Sequence, residues 1–263
     1  CNRHFLRLVE GRAVLVPTGP ETNYQLTPEL VEQHWGADCV AVLAASPANP
    51  TGTLLSRQEL AALSATCRRL GGELIVDEIY HGLTYGLDAP SVLEVADDAF
   101  VLNSFSKYFG MTGWRLGWLV VPAQWRGTFE KLAQNLLICA SALSQRAALA
   151  CFEPESQQVF AQRRDEFKRR RDYMVPALRG IGLNIPAEPD GAFYVYADIS
   201  RFSDDSTAFA YDLLDQTGVA VVPGKDFGQQ NSNHFVRISY ANSMDNLREA
   251  VDRIGNYLNK LGR

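Results

Sequence analysis

Cys39-Val40-Ala41-Val42-Leu43-Ala44, followed closely by Ser46-Pro47-Ala48-Asn49-Pro50-Thr51-Gly52, is the stretch that decides the fold. A continuous apolar run of this length predicts a strand buried on both faces. The prolines, asparagine and glycine after it stop the strand in a tight turn. Ser56-Arg57-Gln58-Glu59 then reads as a capping box, serine and glutamate serving the open N–H groups of a helix start. That helix is predicted to run to about Leu70 and to close at Gly71-Gly72. Glu73-Leu74-Ile75-Val76-Asp77 is the next strand, and Phe100-Val101-Leu102-Asn103 the one after. Residues 115–121 form another, stopped by Pro122. Strand, helix and strand in alternation predict a mostly parallel sheet flanked by helices.

The second half changes texture. Helical patterns cover about 124–152 and 155–178, and strands are expected at 192–197, 219–222 and 234–240, with a helix near 207–216. A last amphipathic helix carries Leu247, Val251, Ile254, Leu258 and Leu261 on one face and ends before Gly262. The expected fold is α/β: a large domain over residues 1–160, and a smaller α+β domain over 161–263.

Composition excludes several functions. Hydrophobic content of 46% and charged content of 21% are those of an ordinary globular chain, and 263 residues can bury a sizeable core. A net charge of -5 argues against a dedicated nucleic-acid binder. The basic run Arg163-Arg164 and Lys168-Arg169-Arg170-Arg171 is broken by Asp165, Glu166 and Asp172, which predicts a solvated helix surface. No apolar run approaches a membrane span. The cysteines, Cys1, Cys39, Cys67, Cys139 and Cys151, show no CxxC spacing, and His4, His34, His81 and His234 show no metal spacing. Reduced thiols in a cytoplasmic protein are expected, with Cys39, Cys67 and Cys139 as small core residues and no metal site.

Polar residues gather where the predicted strands end, which is where ligands of open parallel sheets sit. Asn49 follows the first strand, Asp77 and Tyr80 the second, and Ser104-Phe105-Ser106-Lys107 the third, with Arg115 eight residues beyond the lysine. Singly, each has a plain structural reading: a turn initiator for Asn49, a strand-end cap for Asp77, a core edge for Tyr80, a solvated lysine for Lys107. Together they match one chemistry. A Schiff-base lysine needs an amine kept partly neutral. Ser104, Ser106 and Arg115 are donors for a phosphate. An acid at the mouth of an apolar strand is costly unless paired, and a protonated pyridine nitrogen would pair it. Pyridoxal phosphate carries aldehyde, phosphate and pyridine, and Asn49 and Tyr80 can donate to its ring oxygen.

Ser46 through Gly52, Asp77-Glu78-Ile79-Tyr80, and Ser104-Phe105-Ser106-Lys107 through Gly113-Trp114-Arg115 resemble the signatures of class I/II pyridoxal-phosphate aminotransferases of fold type I, in the same order and at matching separations. Phe235-Val236-Arg237-Ile238-Ser239 resembles the strand that supplies that family's arginine for the substrate α-carboxylate, and Asn49 belongs to the same substrate site. Pro189-Asp190-Gly191-Ala192-Phe193-Tyr194 resembles the small-domain segment that returns toward the site, where Gly191 would let backbone approach the substrate. The resemblance implies transamination between an amino acid and a 2-oxo acid, with Lys107 holding the cofactor as an internal aldimine, in a homodimer. It also implies that the family's chains carry a segment ahead of the place where Cys1 falls, bearing further phosphate and ring contacts. Two alternatives share these residues: a C–S β-lyase on the same fold, and an aminotransferase-like effector domain of a transcription regulator. Met111-Thr112-Gly113-Trp114-Arg115 is closer to the aminotransferase branch than to the lyase, and no helix-turn-helix accompanies the regulator reading.

Overall fold

The computed structural model describes residues 2–262, so Cys1 lies outside the described residues. A short helix, α1 (Asn2–Leu8), and a second, α2 (Pro28–His34), precede the first strand. Neither was expected, although Thr27 followed by Pro28 is a helix-start signal: the Thr27 hydroxyl accepts from the Leu30 N–H at 3.3 Å. Strands β1 (Ala41–Ala45), β2 (Glu73–Asp77), β3 (Phe100–Ser104) and β4 (Gly117–Val120) form one sheet in that order. β1, β2 and β3 are parallel, and β4 returns antiparallel on β3. The register pairs Ala45 with Asp77 and Asp77 with Leu102, so the carboxyl ends of three strands fall level.

Helix α3 (Arg57–Arg69) joins β1 to β2 and opens with the expected capping box, Ser56 Oγ accepting from the Glu59 N–H at 3.2 Å and Glu59 from the Ser56 N–H at 2.7 Å. Its fully buried Leu60 and Leu63 pack on Val42, Ala44, Leu74 and Val76. β1 is not buried on both sides: Val42 and Ala44 are buried whereas Leu43 on the opposite face is 38% exposed, as is Leu119 on β4 at 39%. At the start of β3 that opposite face is covered, Phe129 packing on Phe100 with ring centres 5.5 Å apart, and an apolar run alone does not reveal how far such cover extends.

The single helix expected over 124–152 is two, α4 (Arg126–Leu136) and α5 (Ala142–Leu149). The chain turns at Ile138, in the left-handed region at φ 64°, and restarts at Ser141, whose hydroxyl caps the Ser144 N–H. Cys139 sits in that break and is exposed, not a core residue. Cys39 is half-buried and Cys67 is buried. Helix α6 (Pro154–Gly180) carries the basic run. Most of it is solvated as expected, but Arg171 turns inward, donating to the Pro189 carbonyl at 3.1 Å and lying 5.1 Å from the Tyr85 ring centre.

The second sheet, ordered β5-β7-β6, is antiparallel and comprises β5 (Tyr194–Asp198), β6 (Val222–Pro223) and β7 (Phe235–Ser239). The strand expected at 219–222 is shorter and lies later: β6 pairs only Val222 with Arg237 and Pro223 with Val236, while Val219 and Val221 pack into the core without joining the ladder. Helices α7 (Ser206–Thr217) and α8 (Met244–Lys260) cover this sheet, with Leu213, Leu247, Ile254 and Leu258 buried against Val195, Val236 and Ile238.

Backbone stitches the two sheets together. The Asp190 and Gly191 N–H groups donate to the Gly52 carbonyl at 3.0 and 2.9 Å, and the Ala192 N–H to the Leu83 carbonyl at 2.9 Å. Gly52 stands at φ +73°, and a Cβ there would meet Gly191 O and Pro189 Cβ, each at 2.6 Å. Gly52→Ala is therefore expected to cost about 1–3 kcal/mol of stability, read as a lower urea midpoint. An unchanged midpoint would show that this junction yields freely. Gly191 serves the same junction: a Cβ on it would lie 2.8 Å from the Leu83 carbonyl and from Pro47. Its lack of a side chain lets the backbone pack closely on Leu83 and Pro47.

Candidate active site

The three level strand ends carry the expected residues to one place. Asp77 closes β2, Ser104 closes β3, and the loop after β1 holds Asn49. β7 brings Arg237 across from the second sheet, where its Nη1 donates to Asn49 Oδ1 at 2.8 Å. Positions 188 residues apart in sequence thus meet in one hydrogen bond. With its oxygen taken, the Asn49 amide keeps its NH2 group for another acceptor.

Lys107 extends over two aromatic faces. Its Nζ lies 5.6 Å from the ring centre of Tyr80 and 5.6 Å from that of Phe193. Among the described residues it forms no hydrogen bond or ion pair. Burial among these rings lowers its pKa, and the Arg237 charge lowers it further, while Asp77 pulls it up and Arg115 down. Desolvation penalises the ammonium, so the neutral amine gains population. Arg237→Gln removes one of the depressing charges, and the Lys107 amine should titrate higher in that variant. The pH dependence of its modification by a neutral aldehyde measures this, and an unshifted profile would show that Arg237 does not act on the amine.

Asp77 is the counterpart. Burial raises its pKa; the Ile79 N–H, donating to Oδ1 at 3.1 Å, and the Lys107 charge hold it down. That N–H is the one hydrogen bond the carboxylate accepts among the described residues. A half-buried carboxylate with so little compensation suits a cationic N–H partner.

Ser104 and Ser106 share a tight turn: their hydroxyl oxygens lie 2.9 Å apart, and Ser104 Oγ accepts from the Ser106 N–H at 3.0 Å. Thr112 closes the turn, donating to the Ser106 carbonyl at 2.9 Å, and Arg115 Nη1 donates to the Thr112 carbonyl at 2.9 Å. Arg115 itself stands at φ 51°, so its backbone is held in an unfavourable region and β4 starts only at Gly117. Its guanidinium is exposed and acts on Lys107 through its charge.

Several residues of the site were not anticipated in this role. The Arg237 guanidinium is sandwiched by Tyr194, 4.1 Å from the ring centre, and Phe227, at 4.7 Å. Its Nε is buried without a partner among the described residues. Tyr194 also bonds to Tyr80, the two hydroxyl oxygens 3.2 Å apart. A cavity of about 900 Å³ opens beside Asn49, bounded by Pro17, Tyr24, Tyr196, Phe227 and Phe235. Alternation in β5 could have flagged Tyr194 as core-facing, but nothing local ties Phe227 to Arg237. No cluster of three or more His, Cys, Asp or Glu among the described residues could hold a metal ion. No described helix is long and apolar enough to cross a membrane.

The chain as a whole is similar to known proteins. The family model for aminotransferase class I and II matches residues 3–254. The chain is 43% identical over 260 residues to the valine–pyruvate aminotransferase of Mycobacterium tuberculosis, covering 98% of this chain and 67% of that protein. It is 33% identical over 255 residues to the aspartate aminotransferase of Thermotoga maritima, covering 96% and 65%. A crystal structure of an aminotransferase from Mycobacterium tuberculosis superposes with a TM-score of 0.94 at 42% identity, over 99% of this chain and 67% of that one. The chain thus spans about two thirds of the length of the relatives it matches. It belongs to the class I and II aminotransferase family.

Proposed function

We propose that this chain carries the central machinery of a pyridoxal-phosphate-dependent aminotransferase that moves an amino group between an amino acid and a 2-oxo acid. The observation that carries this reading is the half-buried Lys107 amine, unpaired among the described residues and lying 5.6 Å from the ring centres of Tyr80 and Phe193, with its pKa lowered by burial and by the Arg237 charge. The residues fit the cofactor. Asp77 offers a poorly compensated carboxylate for a pyridine N–H, Tyr80 and the Asn49 NH2 group offer donors for a ring oxygen, and Ser104, Ser106 and Arg115 offer donors for a phosphate. When bound, pyridoxal phosphate supplies an aldehyde that condenses with amines and an electron-poor ring that accepts the electrons released when an α-proton leaves.

Arg237 orients the substrate by its α-carboxylate, held flat between Tyr194 and Phe227 so that its remaining N–H groups keep one plane. Lys107 would be the amine that holds the cofactor through its aldehyde and, when free, the general base that takes the substrate's α-proton onto Nζ. Its depressed pKa serves both roles, because each needs the neutral amine at working pH. Asp77 would hold the cofactor through its pyridine N–H and favour the protonated ring nitrogen by its charge. Amino acids and 2-oxo acids are the substrates of this reading, and a homodimer its assembly.

Transfer of ¹⁵N from a labelled amino acid to an unlabelled 2-oxo acid tests the reading. Several turnovers per protein molecule in the presence of pyridoxal phosphate are expected. Release of pyruvate and ammonia from a thioether amino acid without transfer would favour a C–S lyase instead.

A further inference from the structure

Tyr80, in the turn after β2, and Tyr194, at the start of β5, meet as a buried pair of phenols, 4% and 6% exposed, with their oxygens 3.2 Å apart. Their rings cross nearly at right angles, at 84°. Tyr80 is the sole hydrogen-bond partner of the Tyr194 hydroxyl among the described residues. Each phenol has a single proton to donate. If Tyr80 spends its proton on Tyr194, it can only accept from whatever lies on its other side. If Tyr194 donates instead, the Tyr80 proton is free to point into the site.

We propose that Tyr194 is a positioning residue: its hydroxyl donates to Tyr80 Oη and so commits the Tyr80 proton outward, to an acceptor oxygen on the bound ring. The inference rests on the cofactor reading above and adds to it a residue one layer further out. The Arg237 guanidinium lies 4.1 Å from the centre of the Tyr194 ring, so the outer phenol of the pair sits directly against a cation. An anionic acceptor in front of Tyr80 favours the same direction, because hydrogen bonds to charged groups are the stronger ones. The two phenols then form a relay, polarised from the arginine toward the ring oxygen. The charged groups acting on this cluster are Arg237 and Asp77 on Tyr80, and Arg237, Asp77 and Arg115 on Lys107. None is altered by removing the Tyr194 hydroxyl.

The test is the pH midpoint of the bound cofactor's absorbance band in the wild type, Tyr194→Phe, Tyr80→Phe and the double variant. Phe at position 194 keeps the ring beneath Arg237 and deletes only the donor. A donor to the ring oxygen stabilises its anion, so losing it should let the chromophore keep its proton to higher pH. Tyr194→Phe is expected to raise the midpoint by about half a unit. Tyr80→Phe should raise it at least as far, and the double variant no further than Tyr80→Phe alone. An unchanged midpoint in Tyr194→Phe, or shifts that add in the double variant, would overturn the relay while leaving the cofactor reading intact. Absence in the wild type of any band that depends on Lys107 would overturn both, and the two failures are thereby told apart.

Discussion

Lys107→Ala is expected to fold and to lose amino-group transfer by roughly 10⁴-fold or more. Both roles proposed for this side chain would disappear with it: the amine that holds the aldehyde and the base that takes the α-proton. No neighbour is placed to replace it. The aromatic faces of Tyr80 and Phe193, 5.6 Å from Nζ, carry no group that is basic at neutral pH, and burial pushes the Tyr80 phenol far above its ordinary value. The fold should not suffer. A lysine whose pKa is lowered by burial is a cost to the native state at pH 7, because its charged form is the one disfavoured. The urea midpoint of the variant should therefore match or exceed that of the wild type. Multiple-turnover transfer surviving in the Lys107→Ala protein would remove the lysine from the mechanism.

Asp77→Asn is the second large effect. Asparagine keeps an oxygen for the Ile79 N–H but cannot hold the ring nitrogen's proton by charge. Loss of one preorganised electrostatic partner of this kind costs about 100- to 1,000-fold in rate. Stability should move the opposite way, and its sign follows from the raised pKa. The folded protein binds the Asp77 proton more tightly than the unfolded chain, whose carboxyl titrates near the ordinary value of 3.8. Below that pH the two states bind it alike and full stability is present; as pH rises through the folded pKa, stability is lost. The variant escapes this loss. The gap in urea midpoint between Asp77→Asn and the wild type, measured without cofactor, should widen from pH 3.8 upward and then level off. A gap that does not change with pH would mean that the carboxylate is not penalised by burial.

The site was more legible in the sequence than the packing around it. Asn49, Asp77, Tyr80, Ser104, Ser106 and Lys107 could be read as a group because each follows a strand whose apolar pattern marks its carboxyl end, and parallel pairing makes those ends level. Strand ends are local facts. The partners of Arg237 are not: Tyr194 is its cross-strand neighbour but one, and Phe227 reaches it from a loop beside a cavity, so only the assembled second sheet shows the sandwich. Cys139 misled for a related reason. Leu136, Leu137 and Ile138 look like core in sequence, yet all three are exposed on the break between α4 and α5. Hydrophobicity states that a surface wants cover without saying what supplies it.

Reductive trapping tests the central claim most directly. The protein is mixed with pyridoxal phosphate, reduced with borohydride and digested, and the label is located by mass spectrometry. The geometry of the site predicts that the peptide containing Lys107 carries the label, at a stoichiometry near one, and that Lys131, Lys168, Lys225 and Lys260 remain unlabelled. Label spread over those surface lysines, with Lys107 unmodified, would contradict it.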